Sequence, residues 1–337
     1  MGRKMTPSKG SAVGHRRLAA CLASLAWLLP TLSFAAPGIL LFPAVGTPTH
    51  VTVTGRVMKE APSGGTSTWS KNVRSLTAST WEGAPVELAF GGQKQKLTSG
   101  HDGAFEVTFA APPEQLFVVG TSSSEARVPE ASARAPVTVL APDAPFLIIS
   151  DFDDTVAVTN VLSKRGLLKS ALFSDGDSQP VVKGMPQWYR CMFKDKKVKP
   201  GLAFVSGSPL QFAPRVITFM GKHDFPVGGL YLRNLGPDTL KDYKQPAIRS
   251  LLKAIPLLPV ILIGDSGEHD PEVYKQIREE FPGRIKVIYI HDVGRSAEND
   301  RYTDMVLFKE PSVASIDAVG KGYLEQGCHD EAFGKKK

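Results

Sequence analysis

The pattern of apolar and polar residues changes near residue 143 of this 337-residue chain. Before that point, short runs alternate apolar and polar positions, as expected for strands that bury one face. Such runs lie at residues 50–57, 85–90 and 104–109, and turn residues separate them. The pattern predicts a small all-β domain at residues 48–142, built as an antiparallel sandwich.

Local signals refine this β-rich part. Asp102 and Gly103 separate the run around residues 96–98 from the run that begins near Phe105. An Asp-Gly pair between two such runs predicts a hairpin that joins them. Residues 63–67 and 121–132 are rich in small residues, so we expect loops there.

From residue 143 to about residue 330 the apolar runs become continuous and alternate with segments of helical periodicity. The apolar runs lie at residues 146–149, 202–205, 260–263 and 285–290, and the helical segments at residues 210–220, 245–254 and 271–281. Strands that are apolar on both faces are typical of a parallel sheet covered by helices. This half of the chain is therefore expected to be a doubly wound α/β domain.

Polar and acidic residues follow three of these predicted strands. The first strand leads to Asp151 and Asp153, and the second leads to Ser206. The third leads to Asp265, with Asp270 five positions later. Because ligands bind beyond the carboxyl ends of the strands in a doubly wound sheet, we expect these side chains to meet at one edge.

Carboxylates gathered in one crevice repel each other, so they either share protons or hold a hard cation. The sequence has no cluster of Cys and His ligands, which favours Mg²⁺ over zinc. Since Mg²⁺ bridges carboxylates to phosphate oxygens, the pattern indicates phosphoryl chemistry. One carboxylate can act as nucleophile and form an aspartyl phosphate, while a second acts as acid and then as base. A serine and a lysine are suitable donors to the phosphoryl oxygens.

Four short motifs follow each other in a set order along this part of the chain. They are Asp151-x-Asp153-x-Thr155, the strand-ending Ser206, Lys244 at the start of a predicted helix, and Gly264-Asp265 followed by Asp270. Together they resemble the motifs of haloacid-dehalogenase-type (HAD) phosphatases. Within that superfamily, residues 149–155, 204–209, 262–274 and 287–293 resemble the family of the actin-patch phosphatidate phosphatase. The resemblance is close over about residues 143–295 and looser in the β-rich part.

The resemblance implies a HAD-like Rossmannoid catalytic domain at residues 143–330 that contains a magnesium site. It makes Asp151 the nucleophile and a magnesium ligand. It makes Asp153 the acid and base, which also binds magnesium through its backbone carbonyl. Asp265 would bind the metal directly, and Asp270 would support it nearby or through water.

The same resemblance assigns the transferring phosphoryl group to Ser206 and Lys244. Each assignment has a competitor close by in the sequence. Ser208 lies two positions after Ser206, although Ser206 directly ends the predicted strand. Lys241 lies three positions before Lys244.

The implied reaction is hydrolysis of a phosphomonoester, with phosphatidate converted to diacylglycerol. The interval between Thr155 and Phe204 leaves little room for a cap domain beside the returning helix. An open site excludes water poorly, so a bulky substrate or a membrane surface is expected to cover it. This favours phosphatidate at a membrane surface as the substrate.

The sequence also departs from the family. His291 stands where an arginine is expected, and Gly207 stands where a larger residue is common. These differences leave the catalytic residues intact but put the substrate in question. A phosphatase for soluble nucleotides or sugar phosphates, and a non-catalytic module that binds a phosphorylated ligand, stay open as alternatives.

Residues 1–35 form a separate region. Basic residues precede an apolar run at residues 18–34, and small residues follow that run. This order is typical of a cleavable signal peptide, with an uncleaved membrane anchor as the alternative. We therefore expect an exported protein, located in the periplasm or secreted.

The charge of the chain depends strongly on this first region. The net charge is +7, but five basic residues and no acidic residue lie in residues 1–35, which leaves +2 for the remainder. No basic stripe of the kind that nucleic-acid binding requires is present in the sequence. Nucleic acid is therefore not an expected partner.

Cys191 and Cys328 lie outside the signal region. Disulfides persist in exported proteins, so these two cysteines could pair. Two buried free thiols are the alternative, and the sequence leaves both open.

Overall fold

The computed structural model describes residues 37–60, 79–159, 179–234, 243–294 and 299–334. The predicted signal peptide at residues 1–35 and the predicted loop at residues 63–67 lie outside the described residues.

The described residues before residue 140 form strands. They are β1 (Gly38–Leu41), β2 (Ala44–Gly46), β3 (His50–Met58), β4 (Pro85–Phe90), β5 (Gln93–Thr98), β6 (Ala104–Ala110), β7 (Gly120–Val128) and β8 (Ala131–Val139). In this part of the chain the strands form a three-stranded sheet, β1-β3-β6, and a five-stranded sheet, β2-β8-β7-β4-β5. Both sheets contribute to one apolar core, with Val53 and Phe109 from the first and Leu88 and Val137 from the second.

The local predictions for residues 96–105 and 121–132 are wrong. Strand β5 pairs with β4, and β6 pairs with β3, so the turn at Asp102 and Gly103 links two different sheets. The turn itself exists, since Gly103 has a φ of +74°, but the strands on its two sides do not pair with each other. Residues 121–132 lie mostly in β7 and β8, which pair with each other as antiparallel strands.

The remaining strands and helices belong to the second half of the chain. The strands are β9 (Leu147–Ser150), β10 (Gly201–Pro209), β11 (Gly229–Arg233), β12 (Val260–Asp265), β13 (Ile285–His291) and β14 (Val306–Phe308). The α-helices are α1 (Met185–Phe193), α2 (Ala213–Lys222), α3 (Lys244–Ala254), α4 (Asp270–Glu280), α5 (Pro311–Gly320) and α6 (Gln326–Phe333). The six strands form a parallel sheet in the order β11-β10-β9-β12-β13-β14.

The parallel sheet is buried on both faces. In β9, Ile148 packs into the apolar cluster on one face, and Leu147 and Ile149 pack into the cluster on the other. This double burial explains why the strands appear in the sequence as continuous apolar runs. The predicted mixed α/β class with a parallel sheet is confirmed.

The β-rich strands contact the parallel sheet at its β11 edge. The Leu230 N–H donates to the carbonyl of Pro43 at 2.9 Å. Just beyond β11, Asn234 accepts a hydrogen bond from Arg56 at 2.7 Å and donates one to Asp102 at 2.6 Å. The turn that joins the two β-rich sheets therefore reaches the carboxyl end of the parallel sheet.

A disulfide joins Cys191 of α1 to Cys328 of α6. The structure thus selects the paired state of the two alternatives that the sequence left open. Among the described residues, no helix combines the length and apolar character needed to cross a membrane.

Candidate active site

The predicted site residues lie at the carboxyl edge of the parallel sheet. In register, Ser150 at the end of β9 pairs with Phe204 of β10 and Ile263 of β12. Asp151 comes directly after this point, and Ser206 and Asp265 lie two positions beyond it on the neighbouring strands. The Asp151 N–H donates to the carbonyl of Ile263 at 2.9 Å and fixes the chain at the edge.

Asp151, Asp265 and Asp270 form a buried group of carboxylates. Each offers an oxygen, and these oxygens lie within 4.8 Å of one another. The approach depends on Gly264, because a Cβ at that position would lie 2.3 Å from Asp270 Oδ2. Asp270 reaches its place as the first residue of α4, where its Oδ2 accepts the Asp265 N–H at 3.2 Å.

Lys244 is the cation at the centre of this group, and it is only 4% exposed. Its Nζ lies 2.6 Å from Asp270 Oδ1 and 3.3 Å from Glu268 Oε2. It also lies 2.9 Å from Asp151 Oδ1, in an ion pair without hydrogen-bond geometry. Burial alone would lower the pKa of Lys244, but the three carboxylates raise it well above its usual value. Lys244 therefore stays charged.

Negative charge exceeds positive charge around Lys244. Burial, together with repulsion from Asp270, raises the pKa of Asp265 well above its usual range. Asp265 Oδ1 accepts the Gly267 N–H at 2.6 Å, whereas the buried Oδ2 has no hydrogen-bond partner among the described residues. An unpaired buried carboxylate oxygen is costly. Oxygen ligands with excess negative charge and one unpaired oxygen fit a hard divalent cation.

Asp153 lies in different surroundings, between two hydroxyl groups of β10. Its Oδ2 accepts hydrogen bonds from Ser208 Oγ at 2.6 Å and from Ser206 Oγ at 3.0 Å. Burial raises the pKa of Asp153, and the hydrogen bond from Ser208 opposes this shift. Both candidate serines therefore donate hydrogen bonds to Asp153. The Asp153 carboxylate does not belong to the group of Asp151, Asp265 and Asp270.

A tight turn follows Asp153. Asp154 has a left-handed φ of +52°, and its N–H donates to the carbonyl of Ala157 at 2.7 Å. Its side chain accepts the Thr159 N–H at 2.6 Å. His291, at the end of β13, lies with Nδ1 2.7 Å from the Asp154 carbonyl, to which it donates. His291 thus supports the turn that follows the Asp-x-Asp motif.

Sequence reasoning missed several polar residues at this edge. Glu268 lies inside the motif between Asp265 and Asp270, so its position in the chain was a usable signal. Arg233 ends β11, where the carboxyl-edge rule also points, and its Nε donates to the Gly207 carbonyl at 3.0 Å. No comparable signal existed for Arg301, which contacts the loop after β12 from a distant segment.

Comparisons with known proteins match the α/β part of the chain. Residues 146–292 match the family described as phosphatidate phosphatase APP1, catalytic domain. Phosphatidate phosphatase APP1 of Saccharomyces cerevisiae is 32% identical over 154 residues, which cover 42% of this chain and 25% of that protein. An uncharacterized protein of Schizosaccharomyces pombe is 35% identical over 155 residues, which cover 43% of this chain and 25% of that protein.

The chain therefore spans about a quarter of the length of these curated relatives. Among solved structures, a chain of the Pnkp1/Rnl/Hen1 complex has a TM-score of 0.31 at 16% identity. That alignment covers 44% of this chain and 50% of the other. The TM-score is too low to transfer a fold or a function.

Proposed function

We propose that this chain hydrolyses phosphatidate to diacylglycerol and phosphate. The premise is that residues 146–292 match the phosphatidate phosphatase APP1 catalytic-domain family. The observation that carries the proposal is the buried group of Asp151, Asp265 and Asp270 around Lys244, with Asp153 held separately by Ser206 and Ser208. Two carboxylates two positions apart thus have surroundings suited to different roles.

In the proposed reaction, an Asp151 oxygen attacks the phosphorus atom and displaces diacylglycerol, which leaves an aspartyl phosphate. Asp153 gives its proton to the departing ester oxygen. It then takes a proton from the water that attacks the aspartyl phosphate, which releases phosphate and restores Asp151. The raised pKa of Asp153, caused by burial, favours the protonated form that the first step needs.

Lys244 binds the phosphoryl oxygens in this scheme, because its Nζ already lies beside the nucleophile. Asp151, Asp265 and Asp270 would hold the divalent cation, for which we propose Mg²⁺. When bound, the cation supplies the positive charge that lets these carboxylates accept an anionic substrate. The Gly207 carbonyl lies between the two serines, where the pairing of β10 with β11 is irregular, and it accepts a hydrogen bond from Arg233 Nε.

We further propose that residues 143–330 are a HAD-type catalytic domain and that the sandwich predicted at residues 48–142 begins earlier, at β1, because β1 and β2 belong to its two sheets. The motif residues at the carboxyl edge of a parallel sheet support the first assignment, and the core shared by the two β-rich sheets supports the second. The disulfide between Cys191 and Cys328 supports export, because such bonds persist in oxidising compartments.

The test is phosphate release in magnesium buffer from phosphatidate in mixed micelles, beside glycerol phosphate and a nucleotide. We expect phosphatidate to be preferred. A clear preference for the small esters would instead identify a phosphatase for soluble substrates. Phosphate release from none of the three would identify a non-catalytic module.

A further inference from the structure

The loop between β12 and α4 determines how the metal-site carboxylates meet. Asp265 ends β12 and Asp270 begins α4, so residues 266–269 alone connect them. Both carboxylates belong to the buried group, and they repel each other. The loop therefore has to be held closed by contacts from outside it.

Arg301 supplies such contacts. Its Nη1 donates to the Ser266 carbonyl at 2.7 Å, and its Nη2 donates to the Glu268 carbonyl. Its Nε and Nη2 both donate to the Glu272 carboxylate, the latter at 2.9 Å. Its Nη1 also donates to the Tyr302 hydroxyl at 3.1 Å. All five N–H groups of the guanidinium are therefore engaged.

The guanidinium is well enclosed, with the side chain only 11% exposed. The hydrogen bond to Glu272 is the main cause of a raised pKa at Arg301, so the group is permanently charged. A lysine could not reproduce this arrangement, because an ammonium group lacks the planar fork that reaches several acceptors at once.

The segment that carries Arg301 is itself fixed to α4. Arg278 donates through Nη1 to the Asp304 carbonyl at 3.0 Å and through Nη2 to the Thr303 carbonyl at 3.3 Å. This segment lies beyond residue 292, where the family match ends. The contact therefore comes from a part of the chain to which the comparison assigns nothing.

We propose that Arg301 is a positioning residue that holds the loop at residues 266–268 closed, so that Asp265 and Asp270 keep the geometry for a divalent cation. The inference rests on the metal site of the proposed function and not on the identity of the substrate. Arg301 acts through the backbone carbonyls of Ser266 and Glu268 and through Glu272, none of which belongs to the group of carboxylates that would hold the metal.

The experiment measures metal binding in the absence of substrate. The melting temperature is followed as Mg²⁺ is added, and the Mg²⁺ concentration that gives half of the total shift is the half-saturating concentration. The variants are Arg301→Lys, Arg301→Ala and Glu272→Gln. Outer contacts of metal ligands are commonly worth about 10–100-fold in metal affinity. We therefore expect the half-saturating Mg²⁺ concentration to rise by about 10-fold or more in both Arg301 variants, and less in Glu272→Gln.

Arg249→Ala is the matched control. This change removes the pair between Arg249 and Glu280, which lies at the far end of α4 from Glu272. In that pair, Arg249 Nη2 donates to Glu280 Oε1 at 2.6 Å. We expect its half-saturating Mg²⁺ concentration to match that of the wild type. A purely structural role of Arg301 would lower the melting temperature without metal but leave the Mg²⁺ dependence unchanged.

Unchanged half-saturation in a folded Arg301→Lys variant, beside a normal wild-type response, would overturn the role of Arg301 alone. If Arg301→Ala does not fold, the Arg301→Lys and Glu272→Gln variants decide the question. A wild-type protein whose melting temperature does not respond to Mg²⁺ would overturn the proposed metal site, and the role of Arg301 with it.

Discussion

Asp151 and Asp153 lie two positions apart, yet their side chains meet different partners. Burial raises the pKa of Asp151 well above its usual range, and the charged Lys244, whose Nζ lies 2.9 Å from Asp151 Oδ1, opposes that shift. Asp153 accepts hydrogen bonds from the hydroxyl groups of Ser206 at 3.0 Å and Ser208 at 2.6 Å. Its carboxylate lies outside the group formed by the other three. A pair of carboxyl groups in unlike environments can divide the nucleophile and acid roles between them.

Replacing Asp151 by Asn should remove turnover while the protein stays folded. The amide keeps the side-chain volume but loses the nucleophilic charge, so we expect phosphate release to fall by about 10³-fold or more. Asp143→Asn, at an exposed position before β9, is the control and should keep full activity. Phosphate release by Asp151→Asn at the wild-type rate would refute the proposed nucleophile.

Replacing Ser208 by Ala should affect substrates according to their leaving groups. The change removes the 2.6 Å hydrogen bond that orients Asp153, and proton donation matters most for poor leaving groups. We expect about a 10-fold loss on an alkyl phosphate and a smaller loss on p-nitrophenyl phosphate. Ser122→Ala, at an exposed position in β7, is the control and should keep full activity on both esters. Equal losses on both esters would contradict an effect through the acid.

The elements that could be predicted from the sequence are those whose burial leaves a strong pattern. Strands β9, β10, β12 and β13 are apolar on both faces and gave continuous apolar runs. The sequence of strand β7 has the composition of a loop because the strand buries small residues, such as Ser124 and Ala126, instead of large apolar ones. Helix α1 was not predicted, since Gly184 precedes it in a left-handed conformation and no side chain caps it.

The candidate site was predictable to the extent that its residues end strands or start helices. Asp151 follows β9 and Asp265 ends β12, so the carboxyl-edge rule locates them. Lys244 begins a helix and is indicated only by the resemblance of its motif. The partners of Asp153 depend on the rotation of individual side chains, which the sequence pattern does not encode. Arg301 reaches the site across a long separation in the chain, and a contact of this kind leaves no local signal.

At the scale of elements, the disulfide fixes α6 to α1 and should stabilise the α/β part. It joins residues 137 positions apart, and cross-links that close long loops restrict the unfolded chain, typically by about 2–4 kcal/mol. Cys191→Ala combined with Cys328→Ala should lower the unfolding free energy by about this amount in urea denaturation. A reducing agent should destabilise the wild type but not the double variant. Equal sensitivity of both proteins would show that the bond does not stabilise the fold.

At the scale of the whole molecule, the β-rich part contributes directly to the edge that carries the site. Arg56 is 4% exposed and pairs with Asp102, and both bind Asn234. The neighbouring Arg233 donates to the Gly207 carbonyl, between the two serines that hold Asp153. The β-rich part therefore supports the position of the acid as well as the edge strand β11.

Replacing Asp102 by Ala should weaken both stability and activity. The change leaves the buried Arg56 charge without its carboxylate, and because Asp102 is partly exposed we expect a loss of about 1–3 kcal/mol. Activity should fall several-fold as Asn234 and Arg233 lose support. Glu82→Ala is the matched control, since it removes an exposed pair with His101 beside the same turn. If urea unfolding and turnover of the two variants are indistinguishable, the β-rich part does not position the catalytic edge through Asp102.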